Sequence, residues 1–144
     1  MKSKHRKVGL ISTMSPDKTW AGEVIQRVIK THHAIKAAIE KMGFEVLDEG
    51  PIHREYKEMS TAGRNLRARG INALIIYVGT WTYANCSLAA VLETDVPVIV
   101  WGDSNPGTGG FVGSCIVHGA MKELGVYSRH IYGSFDDKNT LEKV

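Results

Sequence analysis

The run of six apolar residues from Ala73 to Val78 constrains the fold most, because it carries no charged side chain on either face. A strand that is apolar on both faces is typical of the interior of a parallel sheet, where helices cover each side. Two similar runs, rich in branched apolar residues, occur at Lys7–Ser12 and Pro97–Trp101. We therefore expect a parallel β-sheet enclosed between helices.

The segments between these runs have the periodicity of amphipathic helices. Apolar residues and one histidine recur at steps of three and four along the first of them, at Ile25, Val28, His32, Ile35, Ile39 and Met42. This spacing places them on one helix face. We expect Ser15 and Pro16 to begin that helix, as N-cap and first helical residue, and Gly43 to end it.

Further helices are predicted within Tyr56–Arg69, from Asn85 to about Glu93, and over Gly110–Leu124. Shorter strands are predicted at Phe44–Leu47 and Arg129–Tyr132. Strands that alternate with helices indicate an α/β protein with helices on both faces of a parallel sheet. Five strands suit the order 2-1-3-4-5, so we predict a flavodoxin-like (Rossmann-like) three-layer α/β/α sandwich.

This sandwich is expected to be one domain over residues 7–133. A basic arm is expected over residues 1–6, and residues 134–144 are expected to form a tail or a linker to further domains. A length of 144 residues fits one domain better than two.

Composition and charge exclude several classes of function. A net charge of +3 is too small for a nucleic-acid footprint, so no nucleic-acid partner is expected. The apolar runs are far shorter than a membrane span or a signal-peptide core, which predicts a cytoplasmic protein with no membrane partner. Cys86 and Cys115 show no metal-ligand spacing, and we expect both to be reduced core residues.

Ligands of doubly wound sheets bind beyond the carboxyl ends of the strands. Three loops meet that description, Thr13–Thr19, Gly79–Asn85 and Gly102–Gly110. The second is the most informative, because Trp81 and Tyr83 directly follow the buried strand. Aromatic rings there either stack on the apolar face of a sugar or pack back against a helix.

Polar residues of these loops are candidates to contact the same ligand. We expect Thr80, Tyr83 and Asn105 to assist Trp81 in binding substrate. Asp103 and Asn105 follow the fourth strand, where they either bond sugar hydroxyls or cap the turn.

Other cofactor chemistry has weaker support. The glycine-rich loop does not match GxGxxG, since Val112 stands at the third glycine position, and no GK[ST] follows. The loop after the first strand lacks the glycine of a flavin phosphate loop. No histidine spacing indicates a metal site.

The order and spacing of three motifs resemble a known family. Gly79–Tyr83 (GTWTY), Val98–Gly102 (VIVWG) and Ile131–Gly133 (IYG) are similar to the N-terminal domain of the L-fucose isomerase family, the relatives of L-arabinose isomerase. The similarity extends from Val8 to Gly133.

This resemblance implies a multi-domain, cytoplasmic, metal-dependent aldose–ketose isomerase. The divalent metal, commonly manganese, and the acid and base groups belong to later domains, so no catalytic residue, metal ligand or cofactor is expected in this chain. The N-terminal domain helps to build a homo-oligomer and lends sugar contacts to the active site of a neighbouring subunit. Trp81 matches the family's substrate-contacting tryptophan.

The sequence departs from the family at the end of the first strand. Leu10–Thr13 lacks the arginine by which the fucose enzymes reach substrate, so the resemblance does not specify L-fucose as the sugar. We expect a substrate-lid and oligomerisation domain that is inactive alone. Two alternatives stay open, a free-standing flavodoxin-like module for a small polar ligand or flavin, and a purely structural assembly domain.

Overall fold

The computed structural model describes residues 6–144, which form five strands and five α-helices. The strands are Lys7–Thr13 (β1), Glu45–Asp48 (β2), Ala73–Val78 (β3), Val98–Gly102 (β4) and Ser128–Tyr132 (β5). The α-helices are Glu23–Lys41 (α1), Tyr56–Ala68 (α2), Ala84–Val91 (α3), Gly110–Glu123 (α4) and Lys138–Leu141 (α5). A single 3-10 turn over Pro106–Thr108 precedes α4.

All five strands are parallel and lie in the order β2-β1-β3-β4-β5, which confirms the predicted topology. The core consists of two apolar clusters, one on each face of the sheet. Helices α2, α3 and α4 contribute to one cluster, while α1 and α5 contribute to the other. The protein is therefore a three-layer α/β/α sandwich of the flavodoxin-like, Rossmann-like class.

Strand β3 shows how the sequence builds both clusters. Leu74 and Ile76 point toward α2, α3 and α4, whereas Ile75 and Tyr77 point toward α1. All four side chains are buried. Side chains alternate between the two faces of a strand, so only an uninterrupted apolar run can complete both clusters.

Helix α1 begins at Glu23, not at Pro16 as predicted. The hydroxyl of Ser15 accepts the backbone N–H of Asp17, and the carboxylate of Asp17 accepts the backbone N–H of Thr19. These short polar side chains therefore build two consecutive turns instead of a helix cap. The other end agrees better with the prediction, since α1 ends at Lys41, two residues before Gly43.

Helix α3 begins at Ala84, so Asn85 lies inside the helix and is not its cap. The preceding loop is short and its backbone is already bonded to a neighbouring loop, where Trp81 N–H donates to the carbonyl oxygen of Thr108 at 2.8 Å. The chain can therefore enter the helix immediately after Tyr83.

Residues 134–144 pack against the sheet in this structure. The carboxylate of Asp137 caps α5 by accepting the backbone N–H and the hydroxyl of Thr140. Phe135, Leu141 and Val144 pack on the cluster beneath α1. A linker to further domains in this segment stays a prediction. Apart from Arg6, the predicted basic arm lies outside the described residues.

The sequence predicts no membrane-spanning helix and two reduced cysteines in the core. Within residues 6–144, no helix combines the length and the apolar character needed to cross a bilayer. Both cysteines are free thiols and Cys86 is buried, as expected. Cys115 is exposed, contrary to expectation, because it lies on the outward face of α4.

Helices α2 and α3 approach so closely that a side chain is excluded from Gly63. A Cβ atom there would lie 2.5 Å from the carbonyl oxygen of Ala90 and 2.9 Å from its Cα. Backbone atoms cannot yield as the end of a side chain can. A glycine within α2 therefore sets the distance between the two helices.

We predict that Gly63→Ala lowers the free energy of unfolding by about 2 kcal/mol, because the two helices must move apart. Gly119→Ala in α4 is the matched control, since a Cβ atom there meets nothing within 4 Å. Its expected effect is a gain of up to about 1 kcal/mol from helix propensity. Urea denaturation of both variants checks this, and equal effects would contradict the packing argument.

Candidate functional site

The three loops expected to carry function lie together at the carboxyl edge of the sheet. The backbone N–H of Gly79 donates to the carbonyl oxygen of Thr13 at 2.9 Å, which joins the loops after β1 and β3. The backbone N–H of Trp81 donates to the carbonyl oxygen of Thr108 at 2.8 Å, which joins the loops after β3 and β4. The order β2-β1-β3-β4-β5 makes these loops neighbours.

Trp81 and Tyr83 form an aromatic pair at this edge. Their ring centroids lie 4.8 Å apart with an interplanar angle of 73°, an edge-to-face arrangement. Trp81 is half-buried, and Tyr83 is 53% exposed. Ring surface is therefore available to a ligand.

Glycines at the N-terminal end of α4 allow the backbone of Trp81 to approach this helix closely. A Cβ atom at Gly113 would lie 3.2 Å from the Cα of Trp81, and one at Gly109 would lie 3.1 Å from its Cβ. Gly109 also has a φ of 65°, in the left-handed region that glycine favours. The Trp81 loop therefore rests directly on the N-terminal turn of α4.

Thr80 lies below the surface and is completely buried. Its hydroxyl accepts the backbone N–H of Ser15 at 2.8 Å and donates to the carbonyl oxygen of Trp81 at 3.0 Å. In this geometry the Thr80 side chain joins two loops and positions Trp81. The structure does not bring its hydroxyl to the surface, where Tyr83 lies.

Asn105 lies on the exposed loop after β4. Its side-chain oxygen accepts the backbone N–H of Gly107 at 2.9 Å and so caps the 3-10 turn. Of the two uses weighed from the sequence, the structure shows turn capping. Thr108 belongs to this 3-10 turn, and its carbonyl oxygen accepts the hydrogen bond from the backbone N–H of Trp81.

Asp103 is buried, with 4% of its surface exposed. Its carboxylate is bound by two side chains, Arg27 and Tyr77, that were not among the candidate site residues from the sequence. Arg27 of α1 places its Nη1 atom 2.9 and 2.8 Å from the two carboxylate oxygens. The hydroxyl of Tyr77 donates to the same carboxylate. Burial, together with the Asp103 charge, raises the pKa of Tyr77, so the phenol stays protonated and able to donate.

This cluster of Asp103, Arg27 and Tyr77 links the loops after β3 and β4. The backbone N–H of Asp103 donates to the carbonyl oxygen of Val78 at 3.1 Å. Arg27 also places its Nη2 atom 3.5 Å from the carbonyl oxygen of Gly79. Arg27 and Asp103 are 76 positions apart, so their pairing carries no local sequence signal and follows only from the strand order.

A second buried polar series lies on the α1 side of the sheet. Ser12 Oγ and His32 Nδ1 are 2.7 Å apart, and His32 Nε2 lies 3.9 Å from a carboxylate oxygen of Asp48. Ser12 and His32 are both fully buried. A nucleophile needs access to its substrate, so this series braces α1 against β1 and β2.

Burial lowers the pKa of His32 to about 4, since the charged ring cannot be hydrated. Between about pH 6.5 and pH 4 the unfolded chain therefore binds a proton at His32 that the folded chain does not bind. The free energy of unfolding falls as the pH drops through this range. We predict that the wild type loses about 3 kcal/mol more stability than His32→Gln between pH 7 and pH 4. Denaturant titration at each pH measures this difference.

His33→Gln is the matched control, because His33 is exposed and adjacent on the same helix. This variant should keep most of the wild-type pH dependence, because burial lowers the pKa of His32 more than the neighbouring His33 does. Parallel pH profiles for the wild type and His32→Gln would contradict the argument.

The residues at this edge offer an aromatic surface, the Trp81–Tyr83 pair, and polar groups that position the loops. Within the part of the chain that the structure describes, no group of three or more His, Cys, Asp or Glu side chains could hold a metal ion. The cleft beside Arg27 and Asp103 measures about 50 Å³, which is room for a few water molecules and too little for a sugar. At the crevice between β1 and β3, the N–H and hydroxyl of Ser15 already bond within the protein.

Comparisons with known proteins identify no family for this chain. No protein-family model matches the chain, and no curated protein matches it. The chain is similar to a solved structure of the Lac repressor dimer bound to operator and the anti-inducer ONPF, with 14% identity over 93% of this chain and a TM-score of 0.48. It spans 49% of that repressor chain, about half its length.

A second solved structure is a periplasmic sugar-binding protein of an ABC sugar transporter from Legionella pneumophila. The identity is 11%, the TM-score is 0.43, and the similarity covers 96% of this chain and 64% of that one. Similarities of this size carry no inference about function. The fold class follows from the strand order of the chain itself.

Proposed function

We propose that this chain is the N-terminal, substrate-lid domain of a cytoplasmic, metal-dependent aldose–ketose isomerase of the L-fucose isomerase type. The Trp81–Tyr83 pair carries the proposal. It is a partly exposed aromatic surface at the edge of the sheet where ligands of this fold class bind.

The geometry of the Trp81–Tyr83 pair suits a sugar. Sugar rings present C–H faces that aromatic rings cover, and hydroxyl groups at the rim accept and donate hydrogen bonds. Tyr83 offers its phenol beside the indole of Trp81. The loop beneath them is fixed by Thr80 and Thr108, so binding orders few additional groups.

Isomerisation moves a proton between neighbouring carbons of the sugar and needs a general acid and base. A divalent metal polarises the carbonyl oxygen in such a reaction. The described residues lack a donor set for a metal, so the metal and the acid and base groups would belong to other parts of the protein. The residues of this chain would hold the sugar face and exclude water from it.

We expect saturation-transfer NMR of the chain with aldopentoses and 6-deoxyhexoses to show transfer to the C–H protons of the ring. Trp81→Ala should reduce that transfer at least about fivefold, because the stacking surface is lost. Tyr127→Ala is the matched control, since Tyr127 is 80% exposed and lies beside β5 at the opposite edge of the sheet. Equal transfer in the wild type and Trp81→Ala would overturn the sugar-contacting role.

The isomerase assignment is tested on the complete enzyme. Trp81→Ala should lower kcat/KM for aldose–ketose conversion by about tenfold or more while the affinity for manganese is unchanged. An unchanged kcat/KM would contradict the assignment of Trp81 to the substrate.

A further inference from the structure

A cleft of about 640 Å³ lies at the amino ends of β4 and β5, at the edge of the sheet opposite to the Trp81 loop. Its volume is in the range of small-molecule sites in proteins. Part of its lining is apolar, at Pro97, Val98 and Ile99. Four basic side chains also line it, and no Asp or Glu of residues 6–144 does. The four are Lys122, Arg129, His118 and His130.

The four basic side chains of this cleft have no carboxylate partner. None of them forms a salt bridge with an Asp or Glu in the part of the chain that the structure describes. By contrast, Arg27, Arg64 and Arg69 each pair with a carboxylate, at 2.8, 3.0 and 2.9 Å. Positive charge therefore collects in the cleft without being neutralised, and this favours an anionic ligand.

The basic groups of the cleft lie close to one another. Lys122 Nζ is 3.0 Å from the carbonyl oxygen of Ser128, and His118 Nε2 is 3.5 Å from the same oxygen. The rings of His118 and His130 stack with their centroids 5.5 Å apart. Burial lowers the pKa of His130, and the nearby His118 lowers it further. Arg129 lines the cleft from the other face of β5, because side chains alternate along a strand.

The charges and the lining of the cleft together favour one class of anion. Lys122 and Arg129 are permanent cations, and two positive charges match the dianion of a phosphate monoester. A guanidinium donates parallel hydrogen bonds to phosphate oxygens, and an ammonium acts as a point charge. The ring of Tyr127, which is 80% exposed, and the apolar lining suit an apolar group on the ester oxygen.

We propose that this cleft binds a phosphate monoester that carries an apolar or aromatic group. Lys122 and Arg129 hold the phosphate, while Tyr127 and the apolar lining contact the esterified group. The site goes beyond the proposed function and does not depend on it, because the Trp81–Tyr83 pair lies at the carboxyl edge of the sheet and this cleft lies at the amino edge.

Titration of the chain with phenyl phosphate, followed through the imidazole C–H proton signals, tests the proposal. We expect saturable shifts of the His118 and His130 signals with a Kd of about 1 mM or tighter. The signal of His33, which is exposed on α1, should stay constant. Phenol has the ring without the phosphate, so it should bind at least about tenfold more weakly.

Charge-removing variants locate the binding site. Lys122→Gln and Arg129→Gln should each raise the Kd for phenyl phosphate at least about fivefold. Lys30→Gln, which removes an exposed charge from α1, is the matched control and should bind as the wild type does. All three side chains are exposed, so the Tm of each variant should stay close to that of the wild type.

Two results would overturn the proposal, whatever the sugar experiments show. One is the absence of a saturable shift of the His118 and His130 signals up to about 50 mM phenyl phosphate. The other is an equal Kd in the wild type, Lys122→Gln and Arg129→Gln.

Discussion

The pairing of the buried Asp103 carboxylate holds the carboxyl edge of this protein together. A charge this deeply buried is tolerated only where opposite charge and hydrogen-bond donors surround it. Arg27 supplies the charge from α1, and Tyr77 supplies a hydroxyl from β3. Because these groups come from three separate segments, the pairing connects α1, the central strand and the loop after β4.

The loop that carries Trp81 depends on this connection. Arg27 also reaches the carbonyl oxygen of Gly79 at the start of that loop, and Thr80 ties it to Ser15. The polar residues of the edge thus act mainly within the protein, and the aromatic pair is what they present to solvent. An aromatic surface whose loop is already fixed by hydrogen bonds loses little conformational entropy when a ligand binds, which would favour the proposed contact with a sugar.

The sequence predicts the sheet well and the site only in part. The apolar run in β3 and the alternation of strands with helices suffice for the fold, since burial on both faces leaves few other arrangements. The exposure of Tyr83 follows from its place after a buried strand. The burial of Thr80 and the pairing of Arg27 with Asp103 do not, because they depend on contacts between residues far apart in the chain. Helix α1 begins later than predicted, because Ser15 and Asp17 favour turns as readily as caps.

The central claim is that the Trp81–Tyr83 surface contacts sugar, and the indole N–H signals of the chain test it most directly. Trp20, Trp81 and Trp101 give three such signals, and Trp101 donates its N–H to Gly133 within the core. In a titration of nitrogen-15-labelled protein with an aldose, the account predicts a saturable shift of the Trp81 signal and a constant Trp101 signal. A Trp81 signal that stays fixed up to about 100 mM sugar, equivalent to a free energy weaker than about −1.4 kcal/mol, would contradict it.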